Sequence, residues 1–173
     1  MPNKIIVIGC CGSGKSTFSR ALSEKTGIEV VHLDRLYWMP NWKNVSSEEF
    51  DRRLHCAMQA PRWILDGNFD RTLSVRAEAC DCIVWLDLPR YQCLWGVCKR
   101  VWKYHGKERP DMGEGCFERF DVSFLRYVWN FNRRNRAKLQ ALTDGAKGKR
   151  VYILHSRREF PKALDAIARE CRG

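Results

Sequence analysis

Residues 9–16 read Gly-Cys-Cys-Gly-Ser-Gly-Lys-Ser and match in full the pattern G-x-x-x-x-G-K-[ST]. An apolar strand-like run precedes this pattern and a helical pattern begins at its lysine, so it joins a strand to a helix N-terminus. Glycines let the backbone turn tightly around an anion, and exposed amides with the helix dipole attract its charge. We therefore predict that this phosphate loop binds a nucleotide through Gly9, Gly12, Ser13, Gly14, Lys15, Ser16 and Thr17.

Two side chains of the phosphate loop are suited to phosphoryl transfer. Lys15, which we expect in an exposed loop, would reach the β- and γ-phosphates of ATP as a catalytic cation, and the Ser16 hydroxyl would bind Mg²⁺. Cys10 and Cys11 lie near the helix N-terminus and Lys15, both of which lower the pKa of a thiol. One of these thiols, if exposed, is therefore expected to react fast with an alkylating agent and to be protected by ATP.

Three further apolar runs end in a carboxylate, namely residues 29–33 before Asp34, residues 63–65 before Asp66 and residues 82–86 before Asp87. Ligands of open α/β sheets bind beyond the carboxyl ends of the strands, so these carboxylates are expected to converge on the phosphate loop. Asp34 is a candidate catalytic and acceptor-binding residue, through water-mediated Mg²⁺ binding or by taking a proton from a hydroxyl. Asp66 is a candidate ligand for the metal and the acceptor, with Asp87 as the second choice. The alternatives are helix capping, an ion pair with Arg35 or an ordinary turn.

The residues around these carboxylates are candidates for holding the acceptor. Asn68 and Arg71 follow Asp66 and could bind polar groups of the acceptor. Trp42 lies in an aromatic segment after Asp34 and could stack on a nucleobase or another planar group, with ordinary packing as the alternative.

Residues 104–121 break the helical spacing that surrounds them. Residues 90–103 and 123–142 have helical patterns, whereas 104–121 contain three glycines, a proline and both signs of charge. We predict that this lid segment is mobile, has little reason to pack on a core, and closes over ATP when Arg109 or Arg119 gains a phosphate partner. Arg119, and Arg133 in the following helix, are catalytic candidates because arginines stabilise the charge of a transferring phosphoryl group. A solvated basic face is the alternative.

Composition limits the function classes. The formal net charge is +11, and residues 88–150 hold 15 Lys or Arg against 6 Asp or Glu, which suits polyphosphate, nucleic acid or only water as a partner. No apolar run approaches the ~18 residues of a membrane span and no signal-peptide pattern is present, so we expect a cytoplasmic protein without a membrane partner. The nine cysteines lack zinc-site spacing and are expected to be free thiols.

The alternation of apolar strands with helical patterns predicts one α/β domain over residues 1–173, built on a parallel sheet. The layout resembles the small P-loop kinases, such as adenylate and shikimate kinases. Five motifs more closely resemble the bacterial proteins called DNA topology modulation or FlaR-type proteins: His32-Leu33-Asp34, Pro40-Asn41-Trp42, Asp66-Gly67-Asn68-Phe69, Arg109-Pro110-Asp111-Met112 and Gly115-Cys116-Phe117-Glu118-Arg119-Phe120-Asp121.

This resemblance implies a three-layer P-loop NTPase fold, a five-stranded parallel sheet in the order 2-3-1-4-5, an inserted lid, and the use of ATP. It supplies no acceptor, although the group's name implies an influence on DNA. By position alone, adenylate-kinase relatives would place residues 155–158 against the adenine.

From residues and resemblance together we predict an Mg²⁺-dependent ATP phosphotransferase that acts on a small acceptor, with a nucleoside or nucleotide as the leading class. The alternative is a nucleotide-dependent nucleic-acid-binding or regulatory P-loop ATPase that affects DNA topology, motivated by the basic charge of residues 88–150. A salt titration of DNA binding separates the two, because phosphate contacts give a steep dependence on salt. The sequence makes no prediction of the oligomeric state.

Overall fold

The computed structural model describes residues 1–172, so the last residue of the predicted domain, Gly173, lies outside the described residues. The helices and strands follow one another as β1 (Lys4–Gly9), α1 (Lys15–Thr26), β2 (Val30–His32), α2 (Leu33–Tyr37), β3 (Trp38–Met39), β4 (Lys43–Asn44), α3 (Ser47–Met58), β5 (Trp63–Asp66), α4 (Leu73–Ala79), β6 (Cys82–Leu86), α5 (Arg90–Tyr104), α6 (Val122–Asp144), β7 (Arg150–Leu154) and α7 (Phe160–Arg172).

Five parallel strands form the central sheet in the order β2-β5-β1-β6-β7. Counted along the chain without the short β3–β4 hairpin, this is the predicted order 2-3-1-4-5, and the predicted fold class is confirmed. The side chains of residues 5–8 in the middle strand are completely buried, so helices cover both faces of the sheet and make three layers. No helix within residues 1–172 combines the length and the apolar character needed to span a bilayer.

Short-range signals explain where several helices begin and end. Gly27 ends α1 in a left-handed conformation at φ 67°, which a residue without a Cβ adopts at little cost. The Ser46 hydroxyl accepts a hydrogen bond from the Glu49 amide at 3.2 Å at the start of α3. The Asp121 carboxylate accepts one from the Phe124 amide at 3.1 Å, which fixes the start of α6 directly after the lid segment.

The lid segment packs on the β3–β4 hairpin. The Cys116 thiol donates to the Met39 carbonyl at 3.1 Å, the Trp42 indole to the Phe117 carbonyl at 3.0 Å, and the Asn41 amide to the Gly115 carbonyl at 3.0 Å. The expectation that this segment has little reason to pack is wrong, because these hydrogen bonds and the burial of Cys116 tie it to a partner that lies far away in the sequence. Its closure over ATP stays a prediction.

Candidate active site

The phosphate loop lies at the carboxyl edge of the sheet, between β1 and α1. Gly12 has φ 79°, and a Cβ on it would lie 2.1 Å from the Cys93 carbonyl oxygen, so the loop is pressed against α5. Only glycine fits such a close backbone approach in that conformation. Arg157 supports this contact between the loop and α5, because its guanidinium donates to the Gly12 carbonyl at 2.7 Å and to the Gln92 carbonyl at 3.2 Å.

Lys15 is the first residue of α1, as the helical pattern predicts, but the expectation that it is exposed is wrong. It is half-buried, and its ammonium donates to the carbonyls of Gly9 at 2.9 Å and Cys10 at 3.1 Å. The side chain therefore folds back across the phosphate loop, because an ammonium left there needs oxygen acceptors. Anionic phosphate oxygens are stronger acceptors for the same donors.

Asn68 braces the phosphate loop from the end of β5. Its side-chain amide donates to the Gly9 carbonyl at 2.8 Å, and its side-chain oxygen accepts from the Gly9 amide at 3.0 Å. Both polar groups of one backbone residue in the loop are thus held by a side chain 59 residues away. The predicted role of Asn68 in acceptor binding stays a prediction beside this observed bracing contact.

Arg76 holds the turn that carries Asn68, a role that sequence reasoning missed. It is completely buried and donates to the carbonyls of Gly67 at 3.0 Å and Phe69 at 3.1 Å, and also to the Asn68 carbonyl. Burial lowers the pKa of its guanidinium to about 10. An arginine inside a short helix follows no motif, so no sequence signal pointed to it.

Asp66 and Asp87, the two metal-site candidates, have different environments. Asp66 is buried, with one carboxylate oxygen 2.7 Å from Nδ1 of His32 and the other without a hydrogen-bond partner among residues 1–172. Asp87 is also buried, but it forms an ion pair with Arg136 at 3.0 Å and lies 3.5 Å from Nδ1 of His155. A buried carboxylate oxygen without a hydrogen-bond partner is costly unless a bound ligand interacts with it. This favours Asp66 over Asp87 as the candidate metal ligand.

A cavity of about 600 Å³ opens above these strand ends. Five of the sequence candidates line it, namely Lys15, Asp34, Trp42, Asn68 and Arg119. Arg71 does not: it forms an ion pair with Asp51 in α3, with hydrogen bonds of 2.6 and 2.7 Å. Arg133 is exposed on α6 and is also outside the lining. The roles predicted for Arg71 and Arg133 therefore have no support from this geometry and stay predictions.

Asp34 and Asp111 are two carboxylates near the cavity whose pKa values are shifted in opposite directions. Burial, with the nearby charge of Asp66, raises the pKa of Asp34 to about 6. Burial would also raise the pKa of Asp111, but the Arg109 guanidinium, with the Ser16 hydroxyl nearby, lowers it to about 2. The lid segment therefore places an ionised carboxylate near the serine predicted to hold Mg²⁺, which no local pattern indicated.

Two of the arginines around the lid segment, Arg109 and Arg100, are already paired. Arg109 donates to Asp111 at 2.6 Å and to Glu118 at 2.9 Å, and Arg100 of α5 donates to the same Glu118 at 3.1 Å. Glu118 and Arg109 are both buried. The charge run predicted free lid cations, but the carboxylates between them neutralise two of the arginines that line the cavity. Sequence reasoning missed Arg100 and Glu118 because pairing depends on how the segment folds.

The expected low thiol pKa near the phosphate loop is wrong. The neighbouring Cys93 thiol and burial raise the pKa of Cys10, and burial raises that of Cys11 despite the opposing charge of Lys15. Cys10 is almost fully buried below the loop, where desolvation of a thiolate outweighs the helix dipole.

Alkylation of the native protein is therefore expected to begin at Cys56 and Cys98, the exposed thiols among residues 1–172, rather than at the phosphate loop. Iodoacetamide labelling at pH 8, followed by peptide mass spectrometry at short times, measures the order. Cys10 is expected to become reactive only in denaturant. Labelling of Cys10 before Cys98 in the native protein contradicts this expectation.

Comparisons with known proteins bear on the fold. No family model matches the chain, and no curated protein matches it. A shikimate kinase from Bacteroides thetaiotaomicron, solved by crystallography, is similar over 100% of both chains, with a TM-score of 0.57 and 13% sequence identity. The chain has the P-loop kinase fold. At 13% identity this structural similarity supports the fold and nothing about activity, and the resemblance to FlaR-type proteins stays a prediction.

Proposed function

We propose that this protein is an Mg²⁺-dependent ATP phosphotransferase that acts on a small acceptor. The observation that carries the proposal is one cavity, at the carboxyl edge of a P-loop kinase sheet, that Lys15 and Asp34 both line. A cation for transferring phosphate and a carboxylate for an attacking hydroxyl are the two side chains that such a reaction needs close together. The aromatic lining supports a nucleoside or nucleotide as the acceptor.

The residues present fit Mg²⁺. Ser16 offers a hydroxyl, and Asp66 offers a buried carboxylate oxygen that has no partner among residues 1–172. No three His, Cys, Asp or Glu side chains in that part of the chain form a ligand cluster, but Mg²⁺ is commonly bound by one or two carboxylates together with substrate phosphates and water. When bound, the metal would neutralise charge on the phosphates. His32 would hold the Asp66 carboxylate in orientation.

The test is acceptor-dependent formation of ADP. Purified protein is incubated with Mg²⁺-ATP and a panel of small alcohols, nucleosides and nucleotides, and both ADP and the phosphorylated acceptor are measured. ADP release that rises with one acceptor, and a product heavier by one phosphoryl group, support the proposal. If calorimetry detects no ATP binding, the proposal is contradicted. If the protein hydrolyses ATP but no acceptor stimulates the hydrolysis, the protein is a slow ATPase and not a phosphotransferase.

The raised pKa of Asp34 predicts a pH dependence. Below about pH 6 the Asp34 carboxyl is protonated and cannot accept a proton from the acceptor, so kcat/KM is expected to fall as the pH drops through about 6. The fall should approach tenfold per pH unit at the acidic limit. The Asp34→Asn variant is expected to have a low kcat/KM at every pH and to show no further fall near pH 6. A parent profile that is flat between pH 5 and 7 contradicts the assignment.

The lid segment is expected to exchange its amide hydrogens more slowly with a non-hydrolysable ATP analogue than without nucleotide. Arg119 is the lid arginine available for phosphate: its guanidinium lies 6.0 Å from the Trp42 ring and pairs with no carboxylate among residues 1–172. Hydrogen-exchange mass spectrometry over peptides covering 104–121 measures the change. Unchanged exchange at saturating analogue would mean that the segment is fixed and does not close.

Arg119→Ala is expected to lower kcat by about 10²-fold and to change KM less, because the contact is made mainly in the transition state. Steady-state kinetics give both constants. The paired variant Arg133→Ala addresses the other arginine named from the sequence, and a small effect is expected since it lies outside the cavity lining. A larger loss for Arg133→Ala than for Arg119→Ala would reverse the assignment.

The nucleic-acid alternative stays a prediction. Part of the basic charge in residues 88–150 is engaged in ion pairs or hydrogen bonds, namely Arg100, Arg109, Arg136, Lys138, Lys149 and Arg150. This leaves fewer free cations for a polyanion than the composition suggests. A steep log–log dependence of DNA binding on salt would support the alternative.

A further inference from the structure

The cavity has aromatic walls from two separate parts of the chain. Trp38 and Trp42 belong to the β3–β4 hairpin, with ring centroids 5.6 Å apart, and Phe124 and Tyr127 belong to α6, with centroids 6.1 Å apart. Aromatic side chains offer faces and edges on which planar rings stack favourably, and this contact does not require a charge on the ligand. A site built for an aliphatic polyol would instead need hydrogen-bonding side chains along the same walls.

The charges of the lining are balanced. Four cations, Lys15, Arg100, Arg109 and Arg119, face four carboxylates, Asp34, Asp70, Glu118 and Asp121. In the proposed function Lys15 and Arg119 serve the phosphates of ATP, which leaves two cations, Arg100 and Arg109, against four carboxylates for the acceptor. A permanent anion on the acceptor would therefore enter a region without excess positive charge.

The two remaining cations, buried Arg109 and half-buried Arg100, are already paired with carboxylates. Arg109 has carboxylate partners at 2.6 and 2.9 Å, and Arg100 has one at 3.1 Å. An anionic acceptor would have to displace Glu118 or Asp111 and leave that carboxylate buried without its partner, which is strongly unfavourable. These side chains therefore act as a closed charge cluster that favours a neutral ligand beside it.

We infer that the acceptor is a neutral planar aromatic alcohol of the nucleoside type, and that molecules already carrying a phosphate or carboxylate are poor acceptors. This inference rests on the proposed function. The ring stacks on the aromatic walls, and the hydroxyl points to Asp34. In the reaction the hydroxyl oxygen forms a bond to the γ-phosphorus, the bond from that phosphorus to the β–γ bridging oxygen breaks, and ADP leaves with the electron pair. The hydroxyl proton passes to the Asp34 carboxylate.

The test compares acceptors matched in shape and different in charge. Adenosine, guanosine, cytidine and thymidine are each paired with their own 5′-monophosphate, and shikimate and ribose serve as non-aromatic acceptors with and without a carboxylate. Phosphoryl transfer from Mg²⁺-ATP is followed by mass spectrometry of the product. At least one nucleoside is expected to exceed its monophosphate and both non-aromatic acceptors in kcat/KM by at least about tenfold. A preference for a monophosphate or for shikimate overturns the inference and leaves the proposed function intact.

Two variants test the aromatic walls, with one matched control. Trp42→Leu and Phe124→Leu are each expected to raise the KM for the nucleoside by about tenfold or more while the KM for ATP changes little, since each removes one aromatic side chain on which the base stacks. Trp95→Leu removes an exposed tryptophan of α5 outside the cavity and is expected to leave both constants unchanged. An unchanged nucleoside KM in Phe124→Leu and Trp42→Leu, both folded by circular dichroism, overturns the stacking role.

Two further outcomes distinguish a failure of the inferred acceptor class from a failure of the proposed function. If ATP binds but no nucleoside is phosphorylated, the inferred acceptor class is wrong and the proposed function must be sought with other acceptors. If ATP does not bind, the proposed function fails first and the inference fails with it.

Discussion

Lys15→Ala is expected to lower kcat/KM for Mg²⁺-ATP by about 10²–10³-fold while the protein stays folded. The ammonium lies at the phosphate loop, where it donates to the carbonyls of Gly9 and Cys10. In a transferring phosphoryl group charge spreads over oxygens that this cation would stabilise, and alanine supplies nothing in its place. In the variant the Gly9 carbonyl keeps a hydrogen bond from the Asn68 side chain at 2.8 Å and the Cys10 carbonyl keeps one from the Ser13 amide at 3.1 Å, so neither is left without a donor. Lys15 itself lines the cavity, so its removal does not open the core.

Steady-state kinetics and a thermal unfolding curve of the same preparation measure this result. Lys25→Ala is the matched control in the same helix: its ammonium is exposed and pairs with Asp165 at 2.9 Å, so its removal is expected to change neither measurement by much. Equal kcat/KM for Lys15→Ala and the parent contradicts the assignment of the phosphate loop. Loss of activity together with loss of folding would make the variant uninformative for catalysis, and Lys15→Met then serves in its place because it keeps the aliphatic stem.

Arg76→Met is expected to destabilise the protein by at least about 3 kcal/mol, because each buried acceptor left without its donor costs about 1–3 kcal/mol. The guanidinium donates to three successive carbonyls, those of Gly67, Asn68 and Phe69. In a chain of this length the change corresponds to a fall of about 6–12 °C in Tm. Because the same turn carries Asn68, which braces Gly9, affinity for ATP is expected to fall as well.

Arg71→Met is the matched comparison, five residues earlier in the chain. Arg71 forms a two-point ion pair with Asp51, but both side chains are exposed and screened by solvent, so the loss of stability is expected to be much smaller than for Arg76→Met. Denaturant unfolding followed by circular dichroism compares the two variants. Equal destabilisation by the two substitutions would contradict the structural role given to Arg76. A selective rise in acceptor KM for Arg71→Met would support the acceptor-binding role predicted from the sequence.

The sequence by itself determined the parts of this protein that depend on short stretches of chain. The phosphate loop is a contiguous pattern, and the caps at Ser46 and Gly27 act within one turn of their helices. The strand order came from the resemblance to P-loop kinases and agrees with the structure, and alternating strands and helices predict a parallel sheet. The convergence of Asp34 and Asn68 on Lys15 also follows, because parallel strands end at one edge.

Only the tertiary structure decided which charged side chains are free and which are engaged. Arg71 is held by Asp51, Arg109 by Asp111 and Glu118, and Asp87 by Arg136, whereas one oxygen of Asp66 has no partner among residues 1–172. Residue type and spacing indicate which chemical roles a side chain is able to perform. Its partners, its burial and hence its pKa depend on groups that lie far away in the sequence, since desolvation and Coulomb energies vary with position in the folded protein.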